Sequence, residues 1–301
     1  MVNRFHIYQV DAFTSTRFEG NPAGVVINAD GLTETQMQAI ARELNNAETA
    51  FILHPTAPDH DVWIRFFTPT TEVPSCGHAT IAAHFVHAIE YDLPTCTIQQ
   101  RIGIGILPVD LIKDDSGYRV IMTQGNIEIS DIDDEGLEKK MVRELGLSTS
   151  DLDERCPIQI ASTGHSKVMV GIRSRDTLHA LQPALASLTN ISMELGCNGY
   201  FVFTLDSDDD DILTHGRMFA PAIGIPEDPV TGNANGPLGA YLVHHNLLEA
   251  IDGTVTFKGK QGEAMGRPGI ATVSVEVKDG KPVKVKVGGD ATIAFKTEIE
   301  L

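Results

Sequence analysis

The chain runs to 301 residues, a length that suits about two domains, and 42% of them are hydrophobic, enough to build a core in each. A formal net charge of −18 excludes nucleic acid and anionic membrane as partners, since both demand a basic surface. The four cysteines, Cys76, Cys96, Cys156 and Cys197, show no Cys-x-x-Cys spacing, no run of 18 apolar residues occurs, and the N-terminal stretch has no apolar core of an export signal; the expectation is a reduced, cytoplasmic protein without a membrane span.

Residues 5–13 alternate as a strand does, residues 20–24 (GNPAG) read as a turn and residues 25–27 as a second strand, so the chain opens on a hairpin-like pair. Thr33 caps a helix, with Gln36 three residues on to complete a capping box. Met37, Ile40, Ala41 and Leu44 form its apolar stripe, and Asn45-Asn46 ends it. Glu48 follows just before an apolar strand at residues 50–53, an unusual place for a surface charge. Residues 64–67 read as a strand and residues 79–89 as a helix, apolar nearly all round and therefore buried. Residues 96–106 and 118–122 are two more strands, and the polar stretch 125–134 is the crossover between domains. Then come a short helix at 138–145, strands at 157–161 and 167–170 flanking Thr163-Gly164-His165, a helix at 185–195 and a strand at 199–205. Residues 255–257, 271–277, 283–287 and 291–295 are closing strands. The acidic run 206–211 (DSDDDD) is a solvated loop, because consecutive Asp residues lack the alternation of a calcium loop.

One stretch occurs twice. RFFTPTTEVPSCGHATIAAHFVH, from Arg65, is echoed by RMFAPAIGIPEDPVTGNANGPLGAYLVHH, from Arg217. A shift of 152 places Arg65 on Arg217, Phe67 on Phe219, Pro69 on Pro221, Val73 on Ile225 and Pro74 on Pro226. Three residues are then inserted, and a shift of 155 places Cys76 on Thr231, Gly77 on Gly232 and His78 on Asn233. Phe51 falls on Phe201 at a shift of 150. Such an echo implies two related halves. The strands do not alternate with helices as a doubly wound sheet requires. The expected fold is α+β: two pseudo-symmetric domains, each an open β-barrel wrapped round a central apolar helix, at 1–125 (completed by 291–301) and 126–290, with the active site in the cleft between them.

Helices that begin at Gly77 and Gly232 present unpaired N–H groups and a partial positive charge, which suits a small anionic substrate. Glycine lets a ligand approach the backbone closely. The neighbouring polar residues are Cys76 and His78 in one copy, and Asp228, Thr231 and Asn233 in the other.

At these residues the chain resembles the PhzF-like phenazine-biosynthesis isomerases, which share the diaminopimelate epimerase fold, and within them the uncharacterised YddE-type bacterial branch. The resemblance spans the whole chain. It rests on Asp11-Ala12-Phe13-Thr14 with Gly20-Asn21-Pro22-Ala23, on Glu48-Thr49-Ala50-Phe51, on Phe67-Thr68-Pro69 with Glu72-Val73-Pro74 and Gly77-His78, on Thr163-Gly164-His165, and on Glu227-Asp228-Pro229-Val230-Thr231-Gly232. It implies Glu48 as general acid/base, with His78 and Asp228 assisting, and Asn21, Cys76, Gly77, Thr231, Gly232 and Asn233 binding substrate. It implies no cofactor, no metal and a homodimer. Ala47 and Asn233 depart from residues usual in the family.

A two-thiol racemase is disfavoured, because Thr231 stands where a second thiol would be and a hydroxyl is too weak an acid at neutral pH. The expected function is thus a cofactor-independent isomerase that moves a proton within a small carboxylate-bearing substrate by a single base. The competing readings are a small-molecule binding protein on the same scaffold, and a metal-dependent enzyme built on Cys76, His78 and Asp228.

Overall fold

The computed structural model describes residues 4–115 and 117–301. They fall into two compact units, Met1–Thr123 with Gly288–Leu301, and Gln124–Val287.

In the first unit β1 (Arg4–Ala12) and β2 (Asn21–Ile27) form an antiparallel pair. Helix α1 (Glu34–Leu44) returns the chain to β3 (Thr49–Leu53), parallel to β2. Strand β4 (Val62–Phe67) lies antiparallel to β3, and the two-residue β5 (Glu72–Val73) hooks back on β4. Helix α2 (Gly77–Glu90) then leads to β6 (Cys96–Ile102), parallel to β4, and on to β7 (Gly105–Asp114) and β8 (Gly117–Thr123). The chain's last strand, β17 (Lys281–Glu300), pairs with both β1 and β8. The ring β17–β1–β2–β3–β4–β6–β7–β8 therefore closes, where the sequence suggested an open barrel.

Helix α2 runs inside this ring against β1, β2, β3 and β8 and is buried from His78 to Val86. Its all-round apolar sequence is the reason it goes inside. Helix α1 shows only a stripe and stays outside, with Met37, Ile40 and Ala41 on Phe5, Val26, Phe51 and Phe67. Thr33 caps it with the reciprocal Gln36 box, and Asn45 ends it in the left-handed conformation.

Two histidines of α2 face the interior. His84 is fully buried with Nε2 3.0 Å from Gln100 Oε1, and the Nδ1 atoms of His84 and His87 have no hydrogen-bond partner. Burial pulls the His84 value down to about 4 and lowers His87 as well. A histidine depressed in the folded state stabilises the fold above its unfolded value of about 6.5 and withdraws that support as pH falls toward its folded value. Stability against urea should therefore fall by roughly 2 kcal/mol between pH 7.5 and pH 5 from His84 alone. His84→Gln should shrink that pH dependence; an unaltered dependence would mean the ring is not the titrating group.

In the second unit β9 (Glu128–Asp131) and α3 (Glu135–Glu144) precede β10 (Gln159–Ser162) and β11 (Lys167–Ile172). Helices α4 (Arg175–Ala180) and α5 (Leu185–Leu195) follow, then β12 (Tyr200–Thr204), β13 (Thr214–Ala220) and β14 (Ile225–Asp228). Helix α6 (Gly232–His244), β15 (Gly253–Gln261) and β16 (Gly269–Lys278) complete it. The strands pair in the order β9–β10–β11–β12–β13–β15–β16. The first unit's sequence of parallel and antiparallel steps recurs: β12 is parallel to β11, β13 antiparallel to β12, β15 parallel to β13. The α6 helix is buried against β10, β11 and β16.

Strand register corrects the sequence echo in two places. Arg65 pairs with Phe51, while Arg217 pairs with Val202, so Val202 and not Phe201 takes the place of Phe51. The shift there is 151, and it also puts the helix-ending Gly196 on Asn45, both left-handed. Val73 lies opposite Phe66 and Asp228 opposite Met218, so the three-residue insertion falls within residues 221–224, before the short hook strand. Val73 and Pro74 therefore match Asp228 and Pro229 rather than Ile225 and Pro226. The ion pairs agree: Arg65 is bidentate to Glu72, and Arg217 to Glu227.

The 151 shift places Gly199 on Glu48. Gly199 has φ +147°, and a Cβ there would lie 2.3 Å from the Phe219 carbonyl oxygen. No side chain fits, so the second unit has no counterpart of that carboxylate. Gly199→Ala should cost roughly 1–3 kcal/mol, read as a lower urea midpoint; a neutral substitution would mean the backbone there relaxes freely.

Other elements differ from expectation for local reasons. Asn21–Ile27 is strand throughout, because pairing with β1 outweighs the turn composition of residues 20–24. Residues 96–106 hold a hairpin turn after Ile102, where Gly105 has φ +128°. Gly288-Gly289 does not break β17 but admits close neighbours: added Cβ atoms would sit 2.9 Å from Ile121 and 2.5 Å from Phe13. Helix α4 has only six residues, too few for a period to show. Ser174 caps it, and the acidic run at 206–211 ties it down through Asp206 to the Arg175 N–H and Asp208 to the Arg175 guanidinium.

Candidate active site

Glu48 sits in the bend between α1 and β3, its carbonyl accepting from the Gly24 N–H at 3.3 Å, and its side chain is 15% exposed. Helix α2 begins across from it. Cys76 is the N-cap residue, but its side chain makes no cap hydrogen bond, so the first turn of α2 is not closed by its own cap. His78, in that turn, is 8% exposed. Its Nδ1 lies 3.5 Å from Cys76 Sγ and its Nε2 lies 3.4 Å from Glu48 Oε2. The second approach is within ion-pair range but lacks hydrogen-bond alignment, which leaves Nε2 without a hydrogen-bond partner. Glu48, His78 and Cys76 thus converge, as three residues from two distant stretches of sequence. A carboxylate, an imidazole and a thiol in this order can hold and pass a proton.

Gly77 lies between Cys76 and His78. An added Cβ would meet only Met122 Cε, at 3.7 Å, and its φ is not positive. Neither packing nor backbone angle demands glycine there, and its bare backbone leaves room for another molecule.

The second unit arranges its own polar residues around the start of α6. Thr231 is the N-cap residue, and it too makes no side-chain cap; its hydroxyl donates to the Asp228 carboxylate instead. Gln261, buried at the end of β15, locks this turn. It donates to the Asp228 carbonyl at 2.7 Å and accepts from the Thr231 N–H and from Asn235 Nδ2, both at 3.1 Å. Gln124 donates to the Gly232 carbonyl at 3.1 Å and to Asn233 Oδ1 at 3.3 Å, while the Thr163 hydroxyl donates to Gln124. Gly236 makes this possible, because a Cβ there would lie 2.0 Å from Gln124 Oε1.

Lys167 was not singled out in the sequence. It is 4% exposed, and burial pushes its ammonium down to about 8 against the opposing pull of Cys197 and Asp228. The signal was available: a lysine opening a strand that is otherwise wholly apolar. Gln124 and Gln261 carry no such mark, since a glutamine at a strand end is ordinary. Asn21 opens β2 opposite Ala12 and is 1% exposed, which leaves almost no surface for a ligand.

A thiol, an imidazole and a carboxylate are also metal donors. With one nitrogen taken from His78, the donor atoms of Glu48, Cys76 and His78 lie within 4.8 Å of one another, and no other such trio of His, Cys, Asp or Glu occurs among the described residues. Asp228, grouped with Cys76 and His78 in the sequence reading, is not in this trio. No helix of the described residues is long and apolar enough to cross a membrane.

Residues 10–297 match the family described as "Phenazine biosynthesis-like protein" (PhzC-PhzF). The chain is 56% identical, over the full length of both, to an uncharacterised isomerase of Clostridium acetobutylicum. It is 49% identical to the uncharacterised isomerase YddE of Escherichia coli, over 97% of each chain. A trans-2,3-dihydro-3-hydroxyanthranilate isomerase of Pseudomonas fluorescens shares 32% identity, over 93% of this chain and 94% of that one. A solved PhzF-family structure from Bacillus anthracis superposes with a TM-score of 0.89 at 29% identity, over 99% of each chain.

Proposed function

From the premise that the chain belongs to the PhzF family of phenazine-biosynthesis-like isomerases, we propose that it moves a proton within a small carboxylate-bearing substrate using Glu48 as its single acid/base, without a cofactor. The observation that carries this reading is the convergence of Glu48 on His78 at the open first turn of α2, together with Gly199 in the matching place of the second unit. A carboxylate with no counterpart must take the proton and return it itself.

The roles divide by chemistry. The N–H groups of the first turn at Gly77 and His78, which the Cys76 side chain does not cap, favour negative charge, and so suit a substrate carboxylate or the oxyanion that forms when the adjacent C–H is lost. Glu48 removes that proton and delivers it to another carbon on the same face. His78, with Nε2 3.4 Å from the Glu48 carboxylate, exchanges protons with it. In the second unit Asp228 and Thr231 are tied together and locked by Gln261, and Gly232 and Asn233 line the start of α6. Cys76 packs beside the first turn and takes no proton from carbon.

The test is nuclear magnetic resonance in heavy water over a panel of small carboxylic acids. The panel includes trans-2,3-dihydro-3-hydroxyanthranilate, for which the Pseudomonas fluorescens relative is named. A single-base enzyme places deuterium on one face of one carbon. Label on both faces would overturn the single-base assignment. Tight binding of a panel member without any exchange would favour a binding protein on the same scaffold.

A further inference from the structure

We propose that Glu48, Cys76 and His78 are also a binding site for a borderline-soft divalent metal ion, of which zinc is the type, and that such an ion switches the enzyme off by taking its base. The inhibition rests on the role proposed for Glu48; the binding does not.

Donor chemistry comes first. One thiolate sulfur, one imidazole nitrogen and one carboxylate oxygen form a mixed set that suits zinc and its neighbours, whereas calcium and magnesium require shells of oxygen. Three protein donors leave a fourth position for water or a substrate oxygen.

Geometry comes second. Around zinc, with bonds of about 2.0–2.3 Å, tetrahedral donors stand roughly 3.3–3.7 Å apart. Cys76 Sγ lies 3.5 Å from one nitrogen of His78, and Glu48 Oε2 lies 3.4 Å from the other. The ring can give only one nitrogen to an ion, and with one nitrogen counted the three donor atoms fall within 4.8 Å. Turning the Glu48 and Cys76 side chains to other rotamers would bring the donors to those spacings.

His78 itself favours a ligand. It is 92% buried, and its Nε2 has no hydrogen-bond partner although the Glu48 carboxylate is beside it. A buried imidazole nitrogen with an unused lone pair or N–H is costly, and a metal bond would satisfy it. Charge agrees as well. Binding exchanges the thiol proton for the ion, so a dication meets one thiolate and one carboxylate and the site is neutral overall. A chain of net charge −18 also attracts cations.

Once bound, the ion holds the lone pairs that Glu48 needs to remove a proton. The inhibition is reversible by chelation, and weakens with acid because each ion bound releases the thiol proton.

The experiment titrates the reduced, chelator-stripped full chain with zinc against a chromophoric chelator, and repeats the titration with cobalt. The expected result is one ion per chain. Affinity should be at least about tenfold lower in Cys76→Ala and in His78→Ala, and about tenfold lower per pH unit as the thiol protonates. With cobalt, the wild type should show the near-ultraviolet thiolate charge-transfer band, which reports the sulfur ligand without recourse to a variant. Proton exchange should fall in step with zinc occupancy and return on adding EDTA. No stoichiometric binding by the folded wild type, or binding without the thiolate band, overturns the site. Binding that leaves exchange untouched overturns the inhibition. Absence of exchange in metal-free protein counts against the proposed isomerase mechanism alone, since the titration still decides the site.

Discussion

Glu48→Gln should abolish proton exchange while leaving the fold intact. The substitution keeps shape and hydrogen-bonding reach but removes the carboxylate that approaches His78. General acid–base groups contribute about 10²–10⁴ in rate, and with Gly199 in the equivalent position no second carboxylate takes over. Deuterium incorporation should therefore drop by roughly 10³-fold or more. The side chain is partly exposed and makes no aligned hydrogen bond to His78, so the urea midpoint should move little. Exchange at the wild-type rate in this variant would remove Glu48 from the mechanism.

The second large effect is on stability. Arg217→Met should destabilise the second unit by about 3–5 kcal/mol, the usual cost of stranding a buried charge. Its guanidinium side chain is 9% exposed. It binds Glu227 through two hydrogen bonds and donates to the carbonyls of Leu178 and Leu181 at 3.1 and 3.0 Å. Removing it strands the Glu227 carboxylate and takes a donor from the carbonyls of Leu178, His179 and Leu181 together. The duplicate Arg65 supplies an internal control. It holds Glu72 in the same bidentate manner and rests over Phe67 as Arg217 rests over Phe219. Its partners Glu34 and Glu72, however, are 70% and 39% exposed and can turn to water. Arg65→Met should cost only about 1 kcal/mol. Separate unfolding of the two units need not be two-state for the whole chain, so the comparison is best read by hydrogen exchange within each unit. Equal losses at the two arginines would contradict it.

How much of this was legible follows from where each residue's reason lies. The α1 cap, its stripe and its left-handed end are local matters, and Thr33, Gln36 and Asn45 declare them. The fate of α2 was legible because a helix apolar on every side can only be interior. Glu48 stood out as a charge wedged between a helix end and a buried strand, and Gly77 and His78 through the repeated stretch. The register of the repeat was not legible. An insertion can slide along a run such as Ile225-Pro226 without altering the match, and only the pairing of Asp228 with Met218 fixes it. The glycines of β17 misled because composition cannot tell a glycine that turns the chain from one that makes way for Ile121 or Phe13. The buried Gln124 and Gln261 were invisible for a related reason. Their partners lie in carbonyls and N–H groups that no side-chain pattern records.

The pairing of β1 with β17 joins the two ends of the described chain, Arg4 facing Glu300 and Ala12 facing Ala291. During synthesis the first barrel lacks one of its eight staves until residue 300 has left the ribosome, although most of it was made first. The second unit is continuous in sequence, from Gln124 to Val287, and can assemble while the earlier strands wait with two edges unpaired. The half that carries Glu48 is thus the first to be made and the last that can close.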